Sequence, residues 1–424
     1  MWEKWVERHN EKGSNMKDML TVRLAAAASC VCVAAFANEN AAPERVTYSK
    51  HIAPILFDNC VGCHRPGDIA PMSLLSYEEA RPFAKAIQEN AVQKRAMPPW
   101  HSADPHGTFS NDRRLTDDQI ALIDRWVRTG ASQGDPADMP KAPEFTPGWR
   151  LGEPDFVLKF QPVEVTADGP DQFENLVNVA NFGEDKWITA IEIKPSDRRV
   201  VHHVIAITQD AFEATKDNQT GIQGWLAGWA AGTDPLVLPK GTARFVKNGT
   251  PIIANMHYHP MGQAATDTTE IGFHFAKAGV HPREIINHWI SNGTFEIPAG
   301  AANHEVSQSW KIDEDITIMT IAPHMHFRGN DMTITATLPD GAKKVLVTSP
   351  DYDFNWQTQY QFAKPVDLPK GSVVDVVGHF DNSPNNPANP DPTKNVRFGP
   401  QSFDEMFIGI LDYVKKDEST ASGD

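Results

Sequence analysis

From Trp187 onward, β-branched and aromatic residues gather in short runs broken by turn residues: WITAIEI, VVHHVIAIT, TPIIANMHYH, ITIMTIAPHMHF, MTITATL, SVVDVVGHF and EMFIGIL. Such runs predict short strands in sandwich-type β structure. Nearer the N-terminus the period is helical. Ser76-Tyr-Glu-Glu79 has capping-box form and opens a helix toward Arg95, with Pro82 expected to disturb its early turns. Thr116-Asp-Asp-Gln119 opens a second, with Leu115 and Ile120 as a hydrophobic staple, Ile123, Trp126 and Val127 on one face, and Gly130 as its stop. That helix is expected to pack on the one before Cys60. Residues 131–148 carry four prolines and no apolar period, which reads as a linker, and a new unit begins near Trp149. A loop near 278–284 divides the β region into two units of ordinary domain size.

At 424 residues the chain exceeds what one core usually organises. A net charge of −16 with no run of Lys or Arg excludes nucleic acid and anionic membrane surfaces as partners. Met16 starts a stretch with Lys17 and Arg23, the apolar run LAAAASCVCVAAF, and small residues at Ala35 and Ala37. This has the form of an export signal cleaved after Ala37, with residues 1–15 as an upstream extension. The apolar run is well short of the ~20 residues a spanning helix needs, so a periplasmic or secreted protein with no stable membrane anchor is expected.

Of four cysteines, Cys30 and Cys32 lie inside that signal. The other two stand in Cys60-Val-Gly-Cys63-His64, the C-x-x-C-H pattern of covalent haem c attachment, in which His64 is placed to ligate iron. A thioredoxin-like pair or half a zinc site are the other readings of two such cysteines. Arg95-Ala-Met-Pro-Pro-Trp100 holds Met97 in a rigid turn, which makes it the favoured second axial ligand, with Met72, His51 and His101 as rivals.

Three histidine groups fall on the β segments: His202-His203, His257-Tyr258-His259 and His324-Met325-His326. A strand points residues i and i+2 to one face, so His324 and His326 can share a metal. His202 and His203 should point to opposite faces, and reach one metal only through a backbone irregularity or through the nearer ring nitrogens.

VVHHV, NMHYHP, APHMHFRG and SFDEM resemble the copper-ligand segments of the peptidylglycine hydroxylating and dopamine β-monooxygenase family, in a bacterial form carrying a cytochrome c domain. The resemblance runs from about Tyr48 to Val414. It implies two coppers, one held by His202, His203 and His257, the other by His324, His326 and Met406, with His259 auxiliary. Imidazole suits copper in either oxidation state and a thioether favours Cu(I). At the positions where the peptide-amidating members hold a substrate carboxylate, this chain has Ala322 and Ile410, so peptidylglycine is a poor fit.

The organisation expected is therefore a multidomain chain. Residues 1–37 are extension and signal, 38–135 a small all-α cytochrome c domain, and 136–148 a linker. Residues 149–280 and 281–415 are two all-β jelly-roll-like sandwiches, and 416–424 a tail. The expected function is a copper-dependent monooxygenase that hydroxylates a C–H bond of a small organic substrate with O2, taking electrons through the haem from a donor protein or small reductant. A haem/copper electron carrier, a copper-handling module and a haem peroxidase are the alternatives.

Overall fold

The computed structural model describes residues 45–416 apart from 67, 69, 146–147, 217–223, 231–232 and 400. The export signal and residues 417–424 lie outside the described residues.

Four sheets dominate. Sheet I joins Phe156–Lys159, Glu270–Phe275, Lys186–Lys194, Thr242–Val246 and Arg283–Glu284, with Leu236–Val237 on its flank. Sheet II runs Gln172–Ala180, Thr250–Tyr258, Val201–Thr208, Trp225–Ala230. Sheet III runs Ile286–Ser291, Ile408–Lys415, Ile316–His324, Tyr360–Leu368. Sheet IV runs His304–Lys311, Val373–Phe380, Gly329–Thr337, Lys343–Ser349.

Period-two burial decides how they stack. In the Val201–Thr208 strand, Val204 and Ala206 enter a core shared with sheet I, whereas Ile205 and Ile207 enter a smaller cluster shared with Trp289, Ile408 and Ile410 of sheet III. Sheet III in turn sends Ile316, Ile318, Ile321 and Leu411 into a core with Ile334, Val374 and Val376 of sheet IV. Successive sheets thus pack face on face, in a propeller-like ring.

This corrects the expected fold class. The protein is mostly β, 38% strand against 14% helix, with few short helices and no large all-α cytochrome domain among the described residues, and its sheets form the ring just described instead of two separate jelly-roll-like sandwiches. The local signals before residue 135 are present: both capping boxes form, and the second opens the helix Asp117–Arg128. Gly130 follows at φ +96°, a left-handed stop. What fails is length. The stretch toward Arg95 breaks into Tyr77–Ala80, a 3₁₀ turn Arg81–Phe83 at Pro82, Ala84–Ile87 and a π turn Gln88–Gln93. Pro82 cannot donate to the helix ladder, and Arg95 ends the run at φ +53°.

The helical unit is docked on the sheets. Its segment after Met97 leaves the helices and runs beside the Tyr360–Leu368 strand, where Ser110 N–H donates to Gln361 O (2.7 Å) and Ala363 N–H to Thr108 O (3.0 Å). Phe109 is buried in the core of sheets III and IV. The first part of the Pro-rich stretch turns back as well: Tyr48 N–H donates to Ser132 O (2.9 Å), and Met139 packs on the helical core. Among the described residues no helix is long and apolar enough to cross a membrane.

Candidate metal centre and cleft

His203 lies on the face of sheet II that carries Ile205 and Ile207, and His257 on the face that carries Ile253, so both look toward sheet III. His202 joins them through a bulge. In pairing with the neighbouring strand, Val201 stands opposite Tyr258 and His203 opposite His257, with the register shifting between them so that His202 has no partner. This is the irregularity that adjacent histidines require. The Nδ1 atoms of His202 and His203 come within 3.1 Å, and the donor atoms of His202, His203 and His257 all lie within 4.8 Å of one another.

Asp171 sets the third ring. Its Oδ2 accepts from His257 Nε2 at 2.6 Å and its Oδ1 from His259 Nδ1 at 2.6 Å. An ionised carboxylate only accepts, so His257 carries a proton on Nε2, while its Nδ1, which holds the lone pair when the ring is neutral, is a buried atom with no hydrogen-bond partner among the described residues. Burial opposes the charge on Asp171, but the hydrogen bonds from His257 and His259 overcome it and hold the carboxyl well below its usual range. Phe173 stacks on His257 at 4.3 Å. Burial also lowers His202 to about 4, and His203 well below its ordinary value, keeping both rings neutral, as metal ligation requires. His259 therefore reaches the cluster through Asp171.

The second group is built on sheet III. His324 ends its strand opposite Ile408, and Met406, two residues before Ile408, lines the same cavity as His324 and His326. His324 and His326 face each other edge-on, ring centroids 5.4 Å apart, while Met325 points away into the core of sheets III and IV. His326 Nδ1 donates to Asp404 O at 3.3 Å. Buried Glu405 pins the turn, accepting from the backbone N–H of His326 (2.8 Å) and Arg328 (2.6 Å). Burial pushes Glu405 up to about 8 and the two histidines down, His324 to about 4 and His326 to about 3.

The two groups share one space. Phe354 stacks on His202 at 5.7 Å, lies 6.0 Å from His203, and meets His326 edge-on at 5.5 Å. A cavity of about 370 Å³ is lined by His203, His324, His326, Met406 and Phe354. Sequence reasoning named the histidines and Met406 but missed Asp171 and Phe354, which reach the site only through strand pairing and loop packing.

Cys60, Cys63 and His64 form one tight turn, with His64 N–H donating to Cys60 O at 2.9 Å. Burial drives the Cys60 thiol up to about 12, and His64 Nδ1 is buried without a partner among the described residues. The methionine tied to this ring is Met72, whose backbone hydrogen-bonds His64 and whose side chain packs on the same helical core as Cys60. Met97 begins the segment leading to the cleft, its N–H on Asn90 O at 3.2 Å. His51 Nδ1 is occupied by Thr47, and His101 Nδ1 by Asp351 O at 2.8 Å on the far unit. The motif lies near the cleft: Cys63 feels the charges of Arg113 and Asp234, which both line the cavity, and Asp68 pairs with Arg198, just before His202, at 3.1 Å.

No family model matches the chain, and no curated protein does. Among solved structures it is similar to the major capsid protein of bacteriophage PM2 (8% identity, 62% of this chain and 100% of that one, TM-score 0.25). An uncharacterized protein of Listeria monocytogenes shares 14% identity over 60% of this chain and 19% of that one, TM-score 0.18. A secreted protein of Eubacterium rectale shares 10% over 60% and 73%, TM-score 0.16. Likeness this low carries no statement about what the chain does.

Proposed function

We propose that the protein is an exported copper-dependent monooxygenase of the peptidylglycine hydroxylating and dopamine β-monooxygenase type, acting on a C–H bond of a small organic molecule with electrons entering through a haem attached at Cys60 and Cys63. The observation that carries this reading is the pair of histidine groups on facing sheets, either side of Phe354 and open to one cavity.

The residues fit copper. Three imidazoles with adjacent donor atoms, one carrying an orphaned Nδ1, make an all-nitrogen set, and two imidazoles and a thioether lining one cavity make the second. Copper supplies one-electron redox chemistry and oxygen activation when bound. The chain supplies the rest. Asp171 fixes the His257 tautomer, Glu405 fixes the turn bearing His326, and the apolar faces of sheets II and III exclude water from the cleft floor. The thiols and buried imidazole on one turn suit a covalent haem, beside charged residues that line the same cavity. The export-signal pattern is what supports a periplasmic or secreted location.

The test is a copper titration of the full chain followed by turnover. Two coppers per chain are expected, with copper–sulfur scattering in the reduced protein that vanishes in Met406→Leu, and oxygen uptake matched to a hydroxylated product. Persistence of the sulfur signal in that variant would remove Met406 from the site. Copper binding with no oxygen uptake under any reductant would leave an electron carrier.

A further inference from the structure

The cleft floor is the apolar cluster between sheets II and III, made of Ile207, Ile253, Ile408, Ile410 and Trp289 with Ala322 against it. One polar atom is out of place there. The indole Nε1–H of Trp289 is buried and has no acceptor among the described residues, although the residue lines the cavity and is only 6% exposed. Buried indole N–H groups ordinarily find a partner, and each exception calls for an explanation. Trp289 stands directly opposite Ile410 in sheet III, and Ile410 in turn opposite Ala322. A donor without an acceptor thus sits where this patch of sheet III is otherwise hydrocarbon. The charged groups lining the cavity, Arg113 and Asp234, are of opposite sign. Nothing in this wall favours a net anion.

We propose that the cleft takes a compact, neutral, mostly apolar molecule carrying one hydrogen-bond acceptor, a carbonyl or ether oxygen, which accepts from Trp289 Nε1. A cavity of about 370 Å³ suits a single-ring compound. The assignment rests on the cleft being the reaction site, but binding is tested apart from turnover.

The probes are acetophenone, ethylbenzene and benzoate, titrated calorimetrically into the metal-free full chain. Acetophenone and ethylbenzene share a ring and differ in the acceptor, and benzoate adds a charge. One buried hydrogen bond corresponds to about tenfold in affinity. Acetophenone should bind about tenfold tighter than ethylbenzene and tighter than benzoate, and Trp289→Phe should erase the first difference. Equal binding of acetophenone and ethylbenzene to the unmodified chain overturns the proposal, as does preference for benzoate, or a tenfold preference surviving Trp289→Phe. The unmodified-chain series decides the matter alone if the variant does not fold. Should acetophenone bind as expected while copper titration fails, the pocket assignment stands and the monooxygenase reading falls.

Discussion

Asp171→Asn is the substitution that best separates a built metal centre from a chance gathering of histidines. The side chain keeps its size, and one oxygen remains to accept. What changes is that an NH2 group replaces one acceptor of a carboxylate now holding two rings at 2.6 Å each. Turned toward His257, that NH2 seeks a lone pair on Nε2 and drives the proton to Nδ1, the atom otherwise orphaned inside the cluster. Turned the other way, it leaves His257 with a neutral acceptor in place of a charged one, and roughly half the hydrogen-bond strength is lost. Loss of such an orienting partner typically weakens metal affinity by about 10–100-fold, or about 1.4–2.7 kcal/mol. Competition of Cu(I) against a chelator of known affinity measures this, with the His324/His326 group as internal reference. His259→Gln serves as the control, since it removes the outer hydrogen bond and keeps the one to His257, so a loss below about threefold is expected. A twofold or smaller loss in Asp171→Asn, or equal losses in both variants, would refute the argument that Asp171 sets the tautomer.

Asp412→Ala should destabilise the chain by about 3–5 kcal/mol in urea titrations. The buried carboxylate accepts from Arg244 of sheet I on both oxygens at 2.8 Å, and from Asn287, Thr320 and Gln359, so its removal strands a buried guanidinium. Gly409→Ala should lower the melting temperature through overpacking of about 1–3 kcal/mol, because a Cβ there lies 2.8 Å from Val376 and 3.1 Å from Ile334. His379 is raised above its ordinary value, chiefly by its hydrogen bond to Asp331. It therefore contributes stability that is complete below the unfolded pKa and lost as pH rises through the folded one, so His379→Gln should narrow the gap between melts at about pH 5.5 and about pH 8.5. Haem should stay with the chain through denaturing electrophoresis and be lost in the Cys60→Ser, Cys63→Ser double variant.

What the sequence discloses of this molecule is what depends on near neighbours. The Ser76 and Thr116 caps need only four residues each, and both form. Alternation from His203 to Thr208 is likewise local, whereas the Ile316–His324 run changes face at a register shift between Ile318 and Thr320, so that Ile316, Ile318 and Ile321 all enter one core. The bulge at His202 is a property of two strands, visible only in the jump from Val201–Tyr258 to His203–His257. Asp171 stands just before the Gln172–Ala180 strand, and only the pairing of Phe173 with His257 carries it to the histidine cluster. The misread helical domain has the same origin. Prolines at 98, 99 and 105 make residues 97–113 look like a loop of that domain, whereas their backbone groups are satisfied by a strand some 250 positions later.

That docking changes what the N-terminal unit can do. A Pro-rich stretch at 136–148 suggests a mobile tether whose value is a high effective concentration of one redox centre near another. In the structure Met139 already belongs to the helical core, Asp68 is paired with Arg198, and Phe109 is 2% exposed in the core of sheets III and IV. Position is fixed by packing. Pro99, Asn111 and Arg113 also line the cavity, so the unit forms part of the chamber's wall. Deleting residues 38–140 would therefore remove wall and motif together, and would take from the core a phenyl ring whose truncation alone costs about 3–5 kcal/mol. Loss of turnover in such a deletion says nothing about electron delivery. The double Cys60→Ser, Cys63→Ser variant separates the two roles, because the wall stays in place while the attachment chemistry is lost. If electrons enter through the motif, that variant should fail with a protein donor yet retain turnover with a small reductant that reaches the cleft directly. Full activity with the protein donor would show that the motif's position beside Arg113 and Asp234 has no part in electron entry.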